Sequence, residues 1–530
     1  MRKIFFKCML IAGIVSLAAC SSDKFLEENL YGKLFPESFY NNEAELEMAN
    51  NALYRPFSKS FHAYYTTLMR MLYSGDDITS PGAQADHYVY TSADADIASG
   101  WKFAYETINI ANGILDNYRR AEGTVSEEKL LRYAGQAHFA RAYMYFWLVR
   151  IFNKIPYIST VRVLDRDIEL SPPEEIYKHI IEDLKLAEEY LPETWNGIDQ
   201  LKYTGGAVTK GAAKATLAMV YLTTAGYPVK DNEGYRLAKE KAAEIITNEA
   251  RYGYRLLDHC AELWRPLPKL HDEMVFAFVY DGTIDYNVAA PAYNRPSWVS
   301  GAWGGVCSEI NFFLRFPAGE RKEATFLYEF PLENGRIVQP WPQDKPLTSW
   351  ENEPYGHPYY NKMWDTEESQ GDTKWTIIPS GQWRCSRTNQ MIRYAEVLLI
   401  YAEAQAMADN GPNDLAYECI NRVRNRAFKG VGSNENNLPR GLSAQAFRDS
   451  VFVERGWEFA GFEFASRWFD LVRFELVEDA IKEQPVNTFL PGRNARDGRP
   501  ISTPSKPASY FHPLPDEDAK LNSNFGNQFN

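Results

Sequence analysis

The segment Val451–Phe474, VFVERGWEFAGFEFASRWFDLVRF, makes two demands that few folds can meet together. Val453, Trp457, Phe464, Trp468 and Leu471 keep roughly helical spacing, and Phe452, Phe459, Phe462 and Phe469 fill the remaining faces. A helix apolar nearly all round must be covered on several sides. The same segment carries Glu454, Arg455, Glu458, Glu463, Arg467, Asp470 and Arg473. Charges in a buried helix are tolerated only when paired, and Glu463 and Arg467 stand in the favourable i,i+4 order. Gly456 and Gly461 each cost about 1 kcal/mol relative to Ala inside a helix, which points to a close approach or a break. The expectation is a helix at the centre of a helical body, its charges spent on internal ion pairs.

Apolar residues at three- and four-residue steps predict further helices over Ala44–Tyr54, Trp101–Arg119 and Glu127–Phe152. Others are expected at Pro172–Tyr190, Thr209–Thr224, Tyr235–Thr247, Asn389–Asp409, Asn413–Phe428 and Ser443–Phe474. Ala137-x-x-Ala140-x-x-Tyr143 recurs as Ala215-x-x-Ala218-x-x-Tyr221. Ala404, Ala416, Ile420 and Val423 keep the spacing of small and apolar positions in a tetratricopeptide unit. Small residues there let antiparallel helices approach closely, and successive pairs stack. From Arg265 to about Arg387 the chain is instead rich in Pro, Gly, Trp and Tyr, with short apolar runs such as Met274–Tyr280. The fold class expected is therefore all-α, a tetratricopeptide-like scaffold of helical pairs with an irregular, loop-rich insertion carrying a few short strands.

The first nineteen residues differ from the rest. Arg2, Lys3 and Lys7 precede an apolar stretch, Met9–Ala19, too short to span a membrane, as in a secretory signal. Leu17-Ala18-Ala19-Cys20 resembles the bacterial lipobox, whose cysteine is lipidated, and no Asp follows it directly; the address expected is the outer membrane. The organisation read from this is 1–19 signal, 20–40 lipidated tether, 41–264 helical scaffold, 265–388 ligand-facing insertion and 389–530 C-terminal helical part, with 20–530 forming one compact unit. A net charge of −13 and the absence of a long basic run exclude a nucleic-acid partner. Cys260, Cys307, Cys385 and Cys419 are scattered without a CxxC and read as buried thiols.

Several stretches together resemble the SusD/RagB family of outer-membrane nutrient-binding lipoproteins. They are the lipobox with Phe25-Leu26, QAHFARAYMYFWLVRIFNKIP at Gln136–Pro156, IRYAEVLLIYAEAQA at Ile392–Ala406, and Ile420-Asn421-Arg422-Val423-Arg424. Glu454-Arg455, Glu458 and Arg467-Trp-Phe-Asp-Leu471 follow in the family's order, and His512-Pro-Leu-Pro515 closes it. Phe139 and Asn153 depart from the pattern, which more often has Leu and Gly there. The resemblance implies a surface-exposed, lipid-anchored protein that binds oligosaccharides and delivers them to a SusC-like, TonB-dependent outer-membrane transporter. A peptide-binding member is the nearest variant.

Sugar capture uses flat aromatic rings against pyranose faces, with polar groups placed for the hydroxyls. The candidates lie mainly in the insertion: Tyr293, Asn294, Arg295, Trp298, Trp303, Trp341, Trp350 and Tyr355. The loop Asp76–Asp96, with Tyr88, is a second possible wall. Ordinary burial competes for each ring taken singly. Against an enzyme, the chain has no GxSxG, P-loop or GxGxxG, and Gly205-Gly206-Ala-Val-Thr-Lys210 lacks the required glycine spacing. Its eight His show no HExxH, and Asp94-x-Asp96 lacks the rest of a calcium loop, so neither a metal nor any other cofactor is expected. A secreted glycoside hydrolase, which needs only two carboxylates about 5–10 Å apart, is the alternative from another class.

Overall fold

A computed structural model gives the fold. It describes residues 39–61, 68–79, 88, 90–161, 168–196, 198, 206–264, 270–280, 306–328, 357–363, 388–429, 436–461, 463–464, 467–483 and 509–525. The main helices are α1 (Glu43–Lys59), α2 (Ala95–Asn117), α3 (Glu127–Phe152), α4 (Pro173–Tyr190), α5 (Lys210–Thr224) and α6 (Glu233–Ile246). A short helix, α7 (Glu320–Thr325), lies within the insertion, and α8 (Tyr394–Ala408), α9 (Asp414–Ala427), α10 (Ala444–Glu458) and α11 (Arg467–Arg473) follow it. Each of the first five packs on the next in sequence. Helix α6 then passes over the insertion to pack on α8, which carries α9 and α10. This is the stacking that the small-residue repeats predict, and Ala137, Ala140, Ala215, Ala218, Ala404 and Ala416 are all buried.

Local chemistry sets the helix starts. Asn42 accepts from the Glu45 amide at 3.0 Å while Glu45 Oε2 accepts from the Asn41 amide at 2.7 Å, a reciprocal cap. Asp94 caps α2 by accepting from the amides of Asp96 and Ile97, so that helix begins at Ala95 rather than Trp101. Thr209, Asn413 and Ser443 cap α5, α9 and α10 in the same way. Helix α3 runs over the predicted residues and is buried on almost every face from Tyr133 onward.

Two expectations fail. Asn389–Asp409 is not one helix: Asn389–Arg393 is a strand (β6 below), and α8 begins at Tyr394. The strand pairs antiparallel with Met274–Phe278, with Met274 opposite Arg393 and Phe278 opposite Asn389. Sheet pairing and the ion pairs of Arg393 override a helical pattern that is only weakly periodic at those five residues. Ser443–Phe474 is likewise two helices, because Gly461 takes φ +85° and the chain turns between α10 and α11. The Cα of Gly461 lies against the Tyr360 ring, where a Cβ would sit 2.8 Å from Cδ1; Gly456 faces the Arg467 guanidinium, 3.1 Å from the same imaginary Cβ. One glycine makes the break and the other the close approach.

The strands are short and occur in pairs. Those around the insertion are β1 (Ile78–Thr79), β2 (Met274–Phe278), β3 (Cys307–Ser308), β4 (Phe326–Leu327), β5 (Tyr359–Tyr360) and β6 (Asn389–Arg393), and a further pair joins Ile155–Pro156 to Leu170–Ser171. The β2–β6 ladder clasps the insertion at its two ends. It rests on an aromatic core in which Phe57 meets Phe278 at 4.8 Å, Phe139 meets Phe276 at 5.0 Å and Phe61 meets Trp147 at 5.0 Å between ring centroids. Cys260, Cys307 and Cys419 are buried thiols, and burial pushes those of Cys260 and Cys419 up to about 11 and about 12; Cys385 lies outside the described residues.

Candidate ligand-facing site

The charges of the central segment are paired, though not as the spacing suggests. Glu458 accepts from Arg393 Nη1 at 2.8 Å, Arg426 Nη2 at 2.6 Å and Arg321 Nη1 at 2.9 Å. Glu454 takes Arg321 at 2.6 Å and Arg424 at 2.8 Å. Glu463 takes Lys362 at 2.5 Å and Arg393 at 2.7 Å, while Glu273 takes Arg393 at 2.7 Å and also Arg426. The expected Glu463–Arg467 pair is absent, since the break between α10 and α11 destroys the i,i+4 geometry; Arg467 grips Asp76 instead, at 2.7 and 3.1 Å. Burial raises the carboxyl of Glu458, but Arg426, Arg393 and Arg321 outweigh it and hold the group well below the usual carboxylate range. Glu458 is therefore ionised, and each of the four acids is held by two or more basic side chains.

That cluster fastens the insertion to the scaffold. Arg321 comes from α7, Lys362 from the turn after β5, and Arg393 from β6, all meeting acids of α10 and the break after it. A second set of contacts centres on Asp77. The Asp77 carbonyl accepts from the Glu309 amide at 2.9 Å and the Tyr360 hydroxyl at 2.6 Å. Its Oδ2 accepts from the Gly461 amide at 2.7 Å. Burial first, and then the neighbouring charge of Asp76, push the Asp77 carboxyl up to about 7 against the pull of the Gly461 amide and Arg467.

These contacts bring the stems of the aromatic segments together. Thr79, where 80–87 begins, pairs with Cys307, just past the end of 281–305. Strand β4 pairs with β5, Phe326 opposite Tyr360 and Leu327 opposite Tyr359, closing the base of 329–356. The Ser308 amide donates to the Pro358 carbonyl at 2.8 Å, joining β3 to the approach of β5. Segment 364–387 starts just after the Asn361–Met363 turn and ends at β6.

Tyr293, Asn294, Arg295, Trp298, Trp303, Trp341, Trp350 and Tyr355 lie outside the described residues, as does Cys20. Tyr88 is described. It is 7% exposed, with φ +55° and its ring 5.9 Å from that of Trp468, so as folded it offers almost no face to solvent. Asp76 and Asp77, which the sequence groups with the polar loop, are buried. The signal that could have marked them is an Asp pair running directly into the apolar Ile78, a poor composition for a solvated loop. Among the described residues, no group of three or more His, Cys, Asp or Glu could hold a metal ion, and no helix is long and apolar enough to cross a membrane.

Stacked helical pairs clasping an insertion define a helical-repeat scaffold. Comparison with known proteins places that scaffold. The SusD family profile matches residues 286–528, and a profile described as starch-binding associating with outer membrane matches residues 24–222. SusD-like protein P2 of Formosa agariphila is 30% identical across 98% of both chains. The chain belongs to the SusD family. Among solved structures, a SusD homolog from Bacteroides thetaiotaomicron covers 92% of this chain and 97% of its own, with TM-score 0.75 and 22% identity. A laminarin-binding SusD-like protein (TM-score 0.67, 20% identity) covers 91% of this chain and 98% of its own. A structure solved with a xylogluco-oligosaccharide (TM-score 0.68, 20% identity) covers 92% and 98%.

Proposed function

We propose that this chain is a cell-surface binding protein for oligosaccharides, anchored through a lipid on Cys20, that hands its ligand to a SusC-like, TonB-dependent transporter in the outer membrane. The observation that carries this reading is the convergence of stems: the segment holding Tyr293, Trp298 and Trp303 ends at one strand pair, that holding Trp341, Trp350 and Tyr355 is bounded by another, and the Ser308–Pro358 hydrogen bond joins the two pairs. Family membership supports it, as do a relative that binds laminarin and another solved with a xylogluco-oligosaccharide. Rings on loops held by a rigid base are what recognition of a pyranose face needs.

The protein acts as a carrier and not a catalyst. The acids most conspicuous in sequence, Glu454, Glu458 and Glu463, are held by guanidinium and ammonium groups inside the scaffold, away from any role as proton donors. The test pairs affinity electrophoresis against β-glucans, xyloglucan and other plant, host and microbial glycans with a long incubation of the retarded glycan. Retardation with the glycan unchanged is expected. Steady release of reducing ends, lost on replacing one carboxylate, would make the protein a glycoside hydrolase; retention of peptides and no glycan would make it a peptide carrier.

A further inference from the structure

Where α3, α5, α8, α10 and α11 meet, a cavity of about 20 Å³ is walled by Arg150, Glu396, Arg455, Phe469, Asp470 and Arg473 together with apolar side chains of α5. That is room for one small guest. Two buried atoms on its wall have no partner, Oε2 of Glu396 and Nη1 of Arg455. The contact between these two residues is a loose one, 3.4 Å from Arg455 Nη2 to Glu396 Oε1. Arg455 instead spends its Nε on Asp470 at 2.7 Å, and Arg473 holds the other oxygen of Asp470 at 2.8 Å and Glu403 at 2.7 Å.

Arg150 differs from its neighbours. Its guanidinium lies between the rings of Phe146 and Phe469, 3.8 and 4.0 Å from their centroids, and its Nε donates to the Phe146 carbonyl at 3.1 Å. Among the described residues no carboxylate comes within ion-pair distance of it. A guanidinium fixed by two rings, with its fork unclaimed on a cavity wall, is a preorganised anion receptor.

We infer that this cavity is a binding site for one monovalent anion of about chloride's size, held by Arg150 and the unclaimed Nη1 of Arg455, with the second oxygen of Glu396 donating to it when that carboxyl carries a proton. The charges support it. Arg150, Arg455 and Arg473 face Glu396, Asp470 and Glu403, so a proton on Glu396 leaves one positive charge in excess. Among the described residues the phenol of Tyr143 also lies near Glu396, and that of Tyr177 near Arg150. Burial pushes the Glu396 carboxyl up to about 7, beyond the pull of Arg455 and with help from Asp470. Proton and anion therefore enter together, and anion affinity rises as the pH falls through neutrality.

Sodium chloride against sodium gluconate in thermal unfolding, at pH 6 and pH 8.5, tests this, alongside bromide-soaked crystals read by anomalous scattering. A saturating rise in Tm with chloride at pH 6, several-fold weaker at pH 8.5, and one bromide peak in the cavity are expected. Glu396→Gln, a permanent neutral donor, should make the rise independent of pH, and Arg150→Met should abolish it. Should Arg150→Met fail to fold, the wild type and Glu396→Gln decide the matter. Chloride-indifferent unfolding at both pH values with water in the cavity would overturn the inference. A bromide peak without any thermal effect, marking binding at crystal concentration only, would overturn it equally.

Discussion

Glu458→Gln is the sharpest test of what holds the insertion to the scaffold. The carboxylate is 2% exposed and accepts charge-assisted bonds from Arg321, Arg393 and Arg426. Each such bond contributes about 1.5–3 kcal/mol, and removing one partner of a buried ion pair costs about 3–5 kcal/mol. None of the three cations is left wholly alone: Arg321 keeps Glu454, Arg393 keeps Glu273 and Glu463, and Arg426 keeps Glu273. The amide can still accept at one oxygen. The sum of lost bonds is therefore an overestimate, and a loss of about 3–5 kcal/mol is expected, a large share of the ~5–15 kcal/mol of a typical fold. Glu240→Gln is the control; its pair with Arg236, at 2.6 Å, is half exposed on both sides and should be worth less than about 1 kcal/mol. Urea unfolding at pH 7, followed by tryptophan fluorescence at low and high salt, measures both. Salt should erase the small effect of Glu240→Gln and leave that of Glu458→Gln largely intact. A Glu458→Gln midpoint within about 1 kcal/mol of wild type would refute the claim that this cluster clamps the insertion.

The Asp77 carboxyl, raised from 3.8 to about 7, adds stability that is complete below pH 4 and lost as the pH rises through about 7. At about 1.4 kcal/mol per unit this comes to roughly 4 kcal/mol spread between about pH 4 and pH 7, so Asp77→Asn should flatten much of the decline in urea midpoint across that range; an unchanged slope would mean that Asp77 is not the titrating group. Glu396 titrates in the same direction, and Asp77→Asn with Glu396→Gln should be flatter still. Gly461→Ala forces a side chain to φ +85° and against the Tyr360 ring, for an expected loss of about 2–4 kcal/mol in the same assay; a neutral result would show that the break needs no glycine. Trp298→Ala or Trp303→Ala should weaken glycan binding about tenfold or more in isothermal titration with Tm unchanged, whereas a fall in Tm would place that ring in the core. Cys20→Ala should leave the protein in the soluble fraction of cells lacking the transporter, and persistence in their membranes would disprove the lipid anchor.

The helical scaffold was legible because its periods are strong and its neighbours in sequence are its neighbours in space. The sequence marks both ends of Glu127–Phe152, since acidic side chains open it and apolar side chains recur on every turn. What the sequence concealed were contacts set by distant partners. Arg393 sits in a strand because Glu273, Glu458 and Glu463 converge on it from separate elements, a geometry no local window contains. The i,i+4 rule assigned Glu463 to Arg467 and failed for the same reason: once Gly461 turns the chain, helical neighbours are no longer neighbours, and each charge takes the partner brought to it by tertiary packing.

The failure of that pairing explains how a scaffold segment serves a loop-borne function. A continuous helix through Phe474 would have satisfied Glu463 and Arg467 with each other and left Asp76, Lys362 and Arg393 without those partners. The break releases both charges, and they seize the two places where the insertion and the 74–79 loop meet the scaffold. The amide of Gly461 itself, freed from helical bonding by the turn, donates to Asp77, whose carbonyl carries Tyr360 and Glu309. Every stem of the proposed glycan surface is thus referred to one interruption in one helix. Substitutions in the aromatic segments can change the ligand without touching that reference, and substitutions at the break should loosen the whole surface at once.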